Sequence, residues 1–187
     1  MSLANKQPNH LAIRALSLLP HDTVLEMGFG PGAAIKTMAA LVPQGLVLGI
    51  DQSLDMLRQA SRWNKLEIMR ERVQLRLGNF SSLPWPAGSI DKILAVNVVY
   101  FFNRDAREIR EARRVLKPGG LMAVYATDES SMAHWKFSGP DTHVLFGQDS
   151  LRSLLTRGGI SEEDISLSEV MLSFGIRGLL AIARKQA

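Results

Sequence analysis

Apolar residues recur at helical spacing near the start of the chain, at Leu11, Ala15, Leu18 and Leu19, and Pro20 stops the run. That spacing predicts a leading helix over residues 8–19. Thr23 to Met27 reads as a strand, and Ala33 to Val42, with Ile35, Met38, Ala39 and Val42 on one stripe, as the next helix. Pro43-Gln44-Gly45 turns the chain into Leu46 to Ile50, an unbroken apolar run ending at Asp51, as in a strand covered on both faces. Ser53 suits the cap of a helix reaching about Arg70, and Val73 to Leu77 and Ile90 to Val96 read as a third and a fourth strand.

Asn103 is placed to cap a helix to Leu116, Lys117-Pro118-Gly119-Gly120 reads as a turn, and Leu121 to Ala126 as a fifth strand. Residues 128–146 carry no regular pattern, Ser150 to Arg157 is helical, and Ile165 to Val170 and Ile176 to Arg184 are two last strands. Their closeness in sequence makes that pair antiparallel. The alternation predicts a doubly wound α/β fold: a mostly parallel seven-stranded sheet with an antiparallel C-terminal strand and helices on both faces. A length of 187 residues suits one domain, 1–187. Ligands of such sheets lie at the carboxyl ends of the strands, near the switch in strand order. Chemistry is therefore expected at Glu26 to Gly32, at Asp51, at Gly78-Asn79-Phe80 and at Asn97 to Phe101.

The first of these stretches, Val24-Leu25-Glu26-Met27-Gly28-Phe29-Gly30-Pro31-Gly32, is the most specific. Glycine has no Cβ, so it adopts positive φ and lets a ligand lie against the backbone. Gly28, Gly30 and Gly32 form G-x-G-x-G rather than the G-x-G-x-x-G of a dinucleotide fold. A carboxylate at Glu26 repels a pyrophosphate and welcomes hydroxyls or an ammonium group.

Composition adds limits. Hydrophobic residues make up 46% and charged residues 21%, which is ordinary globular usage. No apolar run is long enough to span a bilayer and no secretory pattern opens the chain, so a cytoplasmic location is expected. There are no cysteines, and the four histidines lack metal-ligand spacing, so no metal site is expected. A net charge of +4 is a small excess. Its densest cluster puts Arg107, Arg110 and Arg114 on one helical face with Glu108 and Glu111 interspersed, which reads as a solvated face or a docking surface for something anionic. No nucleic-acid partner is expected, and homodimerisation through a sheet edge stays open.

Five motifs stand in order: Leu25 to Gly32; Gly49-Ile50-Asp51-Gln52-Ser53 with Met56-Leu57; Gly78-Asn79-Phe80 with Leu83-Pro84-Trp85; Ile90-Asp91-Lys92-Ile93-Leu94; and Arg114 to Gly120. With them the chain resembles class I S-adenosylmethionine-dependent methyltransferases, in the small group similar to ubiquinone and menaquinone biosynthesis methyltransferases (type 11), over about residues 8–127. The resemblance implies a Rossmann-like fold, S-adenosylmethionine as cofactor and a small-molecule methyl acceptor. It implies that Glu26 engages the cofactor's amino group, that Gly28, Gly30 and Gly32 let the cofactor lie close, and that Asp51 binds the ribose. Gln52 and Met56 would flank the adenine, although Met56 fits a core position on the following helix equally well. Asn79 stands where an aspartate is commoner and would accept the adenine amino group, as a weaker acceptor for want of charge. Phe80 offers a backbone amide or simple packing.

Asn97-Val98-Val99-Tyr100 is similar to the N-P-P-Y motif of amino-group methyltransferases but lacks both prolines. Asn97 is therefore expected to line the methionine end of the pocket, with Tyr100 and Phe101 as substrate walls. Tyr100 is a poor base at its ordinary pKa of about 10. His134 and Trp135 lie in 128–146, the expected substrate-side loop, where His134 suits a packing role or substrate proximity, and His10 sits on the leading helix. The expected reaction is methyl transfer by in-line displacement through positioning, with no dedicated catalytic residue. The alternatives are a nicotinamide-dependent oxidoreductase and a non-catalytic S-adenosylmethionine-binding protein.

Overall fold

The computed structural model describes residues 5–132 and 145–186. In chain order the elements are α1 (Lys6–Leu16), β1 (Thr23–Met27), α2 (Ala33–Leu41), β2 (Leu46–Asp51), α3 (Leu54–Trp63), α4 (Lys65–Met69), β3 (Val73–Leu77) and β4 (Ile90–Val96). After them come α5 (Arg107–Val115), β5 (Leu116–Thr127), α6 (Glu129–Met132), α7 (Gln148–Arg157), β6 (Ile165–Met171) and β7 (Arg177–Arg184). The sheet has seven strands in the order β3-β2-β1-β4-β5-β7-β6. β1 to β5 pair in parallel, and β7 runs antiparallel to both β5 and β6. The expected doubly wound, mostly parallel seven-stranded fold is therefore the one observed.

Alternation along β1 divides the core. Leu25 and Met27 pack on one face with Ile109 of α5 and Leu151 and Leu155 of α7, and Val24 packs on the other with Leu16 of α1 and Ile35 and Met38 of α2. Helices thus cover both faces, and each fully buried leucine contributes roughly 1.5–3 kcal/mol. Because β2 and β3 lie on one side of β1 while β4 and β5 lie on the other, the switch in strand order falls between β1 and β4. No helix among the described residues is long and apolar enough to cross a membrane.

Several element boundaries differ from the sequence reading. The leading helix, expected over 8–19, stops at Leu16, because Ser17 turns left-handed (φ 48°) and its N–H donates to the Arg14 carbonyl. The single helix expected from Ser53 to Arg70 is two, broken at Asn64, whose buried side chain donates to the carbonyls of Ala60 (2.9 Å) and Gly32 (3.1 Å). Asn103 does not begin a helix: α5 starts after Ala106 (φ 59°), and Glu108 accepts from both the Asn103 amide and its side chain. Glu108 is buried rather than on the solvated face.

The arginines of that face are engaged locally, Arg107 by Asp105, Arg110 by the Asp105 carbonyl, and Arg114 by Glu111 and the carbonyls of Leu83 and Trp85. The expected turn at Lys117 to Gly120 is a bulge inside β5, where the register against β4 shifts and Gly119 (φ 76°) donates to the Lys185 carbonyl at 2.7 Å.

Candidate active site

The glycine loop leaves β1 at Gly28, whose N–H donates to the Ile50 carbonyl at 2.8 Å, and enters α2 at Gly32. All three glycines have positive φ, at 76°, 51° and 88°. A Cβ tests what each one is for. On Gly28 it would lie 2.5 Å from Val98 Cγ2, and on Gly32 it would lie 2.7 Å from both Ala60 Cβ and Asn64 Nδ2. On Gly30 it would meet nothing within 4 Å. Two of the glycines are thus required by the protein's own packing, and the third leaves backbone bare toward open space. The loop is packed tightly at both ends and bare at its middle.

Asn64 is the clamp at the α2 end. Asn64→Ala removes both of its donated bonds, and a net loss of about 1–2 kcal/mol is expected, seen as a lower urea midpoint with an unchanged slope. A midpoint equal to that of the unaltered chain would show that the clamp carries nothing.

Asp51, at the end of β2, accepts from the Gly30 N–H through Oδ2 and from the Ser53 N–H through Oδ1, each at 2.9 Å. Two backbone amides therefore fix its plane, and each oxygen keeps a lone pair. Glu26, on β1, is buried with Oε2 lacking any hydrogen-bond partner. Burial pushes its pKa well above the carboxylate range, the nearby Asp51 charge adds to this, and a hydrogen bond from the Ile35 backbone opposes it. The arrangement is short of a cation or a hydrogen-bond donor.

A cavity of about 370 Å³ lies at these strand ends. On its wall stand Glu26, Gly28, Gly30, Asp51, Gln52, Met56, Phe80 and Asn97, together with Phe101 from the expected substrate side. Met56 lines the cavity and also packs on the core. Phe80 does both as well, its ring meeting Phe102 at 5.8 Å between centroids. Gly32 stands behind the wall.

Asn79 lies off this wall, and its Oδ1 accepts from the Ser81 N–H and hydroxyl, each at 3.0 Å. Tyr100 also lies off it, buried, with its hydroxyl donating to Asn97 Oδ1 at 2.8 Å and its pKa pushed well upward by burial. His134 and Trp135 fall outside the described residues. His10 faces a neighbouring groove of about 830 Å³ with Trp63 and Met171. Sequence reasoning missed Asn5 and Asn9, which reach the cavity from the start of α1. Their spacing of one helical turn was the available signal.

The chain matches the family described as a methyltransferase domain over residues 25–124, from Leu25 in β1 to Val124 in β5. Over 187 residues it is 28% identical to the uncharacterised methyltransferase YdaC of Bacillus subtilis, covering 100% of this chain and 96% of that one. It is 34% identical over 137 residues to the ubiquinone/menaquinone biosynthesis C-methyltransferase UbiE of Syntrophotalea carbinolica, covering 73% of this chain and 52% of the other. Of that relative and six further curated ones it spans 28% to 52% of the length. Among solved structures the [4+2]-cyclase SpnF superposes with a TM-score of 0.80 at 18% identity, covering 97% of this chain and 80% of that chain, which is a likeness of fold. With the family match over more than half of its length and the sheet order that goes with it, the chain belongs to the class I S-adenosylmethionine-dependent methyltransferases, in the type 11 group.

Proposed function

We propose that the cavity binds S-adenosylmethionine and that the protein transfers its methyl group to a small-molecule acceptor arriving past Phe101. The unpartnered Glu26 Oε2, buried beside Asp51, carries this reading. A cationic amino group there would satisfy a carboxylate whose ionised form burial disfavours. Asp51 would accept the ribose hydroxyls with its remaining lone pairs, and the bare backbone at Gly30 would lie against the cofactor. Met56 and Phe80 supply apolar walls suited to adenine, with Gln52 at the rim. Asn79 would take part only by giving up its bonds to Ser81. The cavity's size falls within the roughly 300–1,000 Å³ of small-molecule pockets.

When bound, the cofactor supplies an electrophilic methyl group on a sulfonium. The chain's own residues then have to hold the two reactants in line and keep water out, which is worth roughly 7–11 kcal/mol of the barrier. Tyr100 is not the base, because its hydroxyl is committed to Asn97 and burial raises its pKa. Phe101, 56% exposed at the cavity's edge, offers an apolar face to the acceptor. Calorimetric titration with S-adenosylhomocysteine is expected to give a single saturable site, and fluorescence titration with NADH none. The reverse result would sink the reading in favour of a nicotinamide enzyme.

A further inference from the structure

Asn97 is the residue that follows β4, and its backbone is left-handed (φ 52°). That conformation costs a non-glycine residue roughly 1–2 kcal/mol, less for asparagine, so something must hold it. The side chain shows what does. Asn97 Oδ1 accepts from the Tyr100 hydroxyl (2.8 Å), from the Thr127 N–H (3.2 Å) and from the Thr127 hydroxyl (3.3 Å). Its Nδ2 donates to Asn5 Oδ1 at 2.8 Å, and its own N–H donates to the Tyr125 carbonyl at 2.9 Å. The Thr127 N–H also reaches the Tyr100 hydroxyl at 2.6 Å. One side chain therefore ties the ends of β4 and β5 to the start of α1.

The residue after this turn is Val98, whose side chain occupies the space that a Cβ on Gly28 would need. The turn at Asn97 thus decides where Val98 sits, and Val98 is the abutment of the glycine loop at its β1 end. We propose that Tyr100 and Thr127 are positioning residues for the cofactor pocket: they lock Asn97 into its left-handed turn, which seats Val98 against Gly28 and so fixes the loop. This rests on the reading of the cavity as the S-adenosylmethionine site, and it assigns Tyr100 no contact with either reactant.

Glycine takes a left-handed turn without help, which allows a test by double-mutant cycle. Binding of S-adenosylhomocysteine is measured by calorimetry for Tyr100→Phe, Asn97→Gly and the double variant, with melting temperatures alongside. Tyr100→Phe is expected to weaken binding about tenfold, the weight of one buried hydrogen bond. In the Asn97→Gly background the same change is expected to weaken it less than about twofold, because the turn no longer needs holding.

Thr127→Val, which exchanges the hydroxyl for a methyl group, enters the same network and is expected to show the same loss of effect beside Asn97→Gly, so the test survives if Tyr100→Phe folds poorly. An equal penalty in both backgrounds would falsify the proposal. So would a lowered melting temperature with unchanged affinity, which marks a purely structural contact. Absence of binding by the unaltered chain counts against the cofactor reading instead, so the two failures are distinguishable.

Discussion

Asp51→Ala is expected to weaken S-adenosylhomocysteine binding at least about a hundredfold by calorimetry. Two hydrogen bonds from ribose hydroxyls to a charged acceptor are worth about 1.5–3 kcal/mol each. The substitution also removes the acceptor of the Gly30 and Ser53 amides, so the loop loses a tether at its only open glycine. A third effect runs through Glu26, whose pKa is raised in part by the Asp51 charge and would fall once that charge is gone. The variant should bind its residual ligand with less proton release, measurable by repeating the titration in buffers of different ionisation enthalpy. Unchanged affinity would remove Asp51 from the site.

Glu26→Gln is expected to split stability from binding. Without ligand, the folded-state pKa of Glu26 lies above its unfolded value, so its contribution is fully present below the unfolded pKa and is lost as pH rises through the folded one. Glutamine has no charge to lose there, so the variant should melt higher than the unaltered chain near neutral pH, with the difference vanishing in acid. Binding should move the other way, weaker by roughly 10–100-fold, because the amide replaces an ion pair with a neutral hydrogen bond. For the unaltered chain, affinity should rise with pH through the same titration, since the ammonium group needs the carboxylate ionised. A variant that lost both stability and affinity would mean that Glu26 is a structural buttress rather than a ligand group.

The parts of the fold written in short-range patterns were legible in the sequence. Apolar runs located seven strands, β5 apart from its first residues before the bulge, and the run ending at Asp51 identified a strand buried on both faces. The helix errors came from bonds that the apolar pattern does not show, one of them to a partner distant in sequence. Asn64 reads as an ordinary exposed helix residue until Gly32, far upstream, is known to need its amide. Glu108 reads as surface charge until Asn103 is seen to be its partner. The place of the candidate site was legible where an acid or a glycine follows a buried strand, as at Glu26, Asp51 and Gly30, which share one cavity. What neighbouring protein demands of a residue was not legible. The sequence alone did not show that the missing side chains of Gly28 and Gly32 also make room for Val98 and for Ala60 with Asn64. Asn97 stands on the cavity wall as expected, while its side-chain bonds run to Tyr100, Thr127 and Asn5.

The position of β7 between β5 and β6 bears on how the protein is made. The strands that carry the pocket are complete by Thr127, but the flank of β5 along Leu121 to Thr127 stays bare until Arg177 to Arg184 has been synthesised. At translation rates of about 5–20 residues per second that interval is roughly 3–11 s. Throughout it an apolar strand edge is open to any other extended chain. β6 emerges earlier but its hydrogen bonds in the sheet are to β7, so it waits as well. Until then a nearly finished pocket stands beside an unfinished sheet, and β7 is the strand that closes the flank of β5.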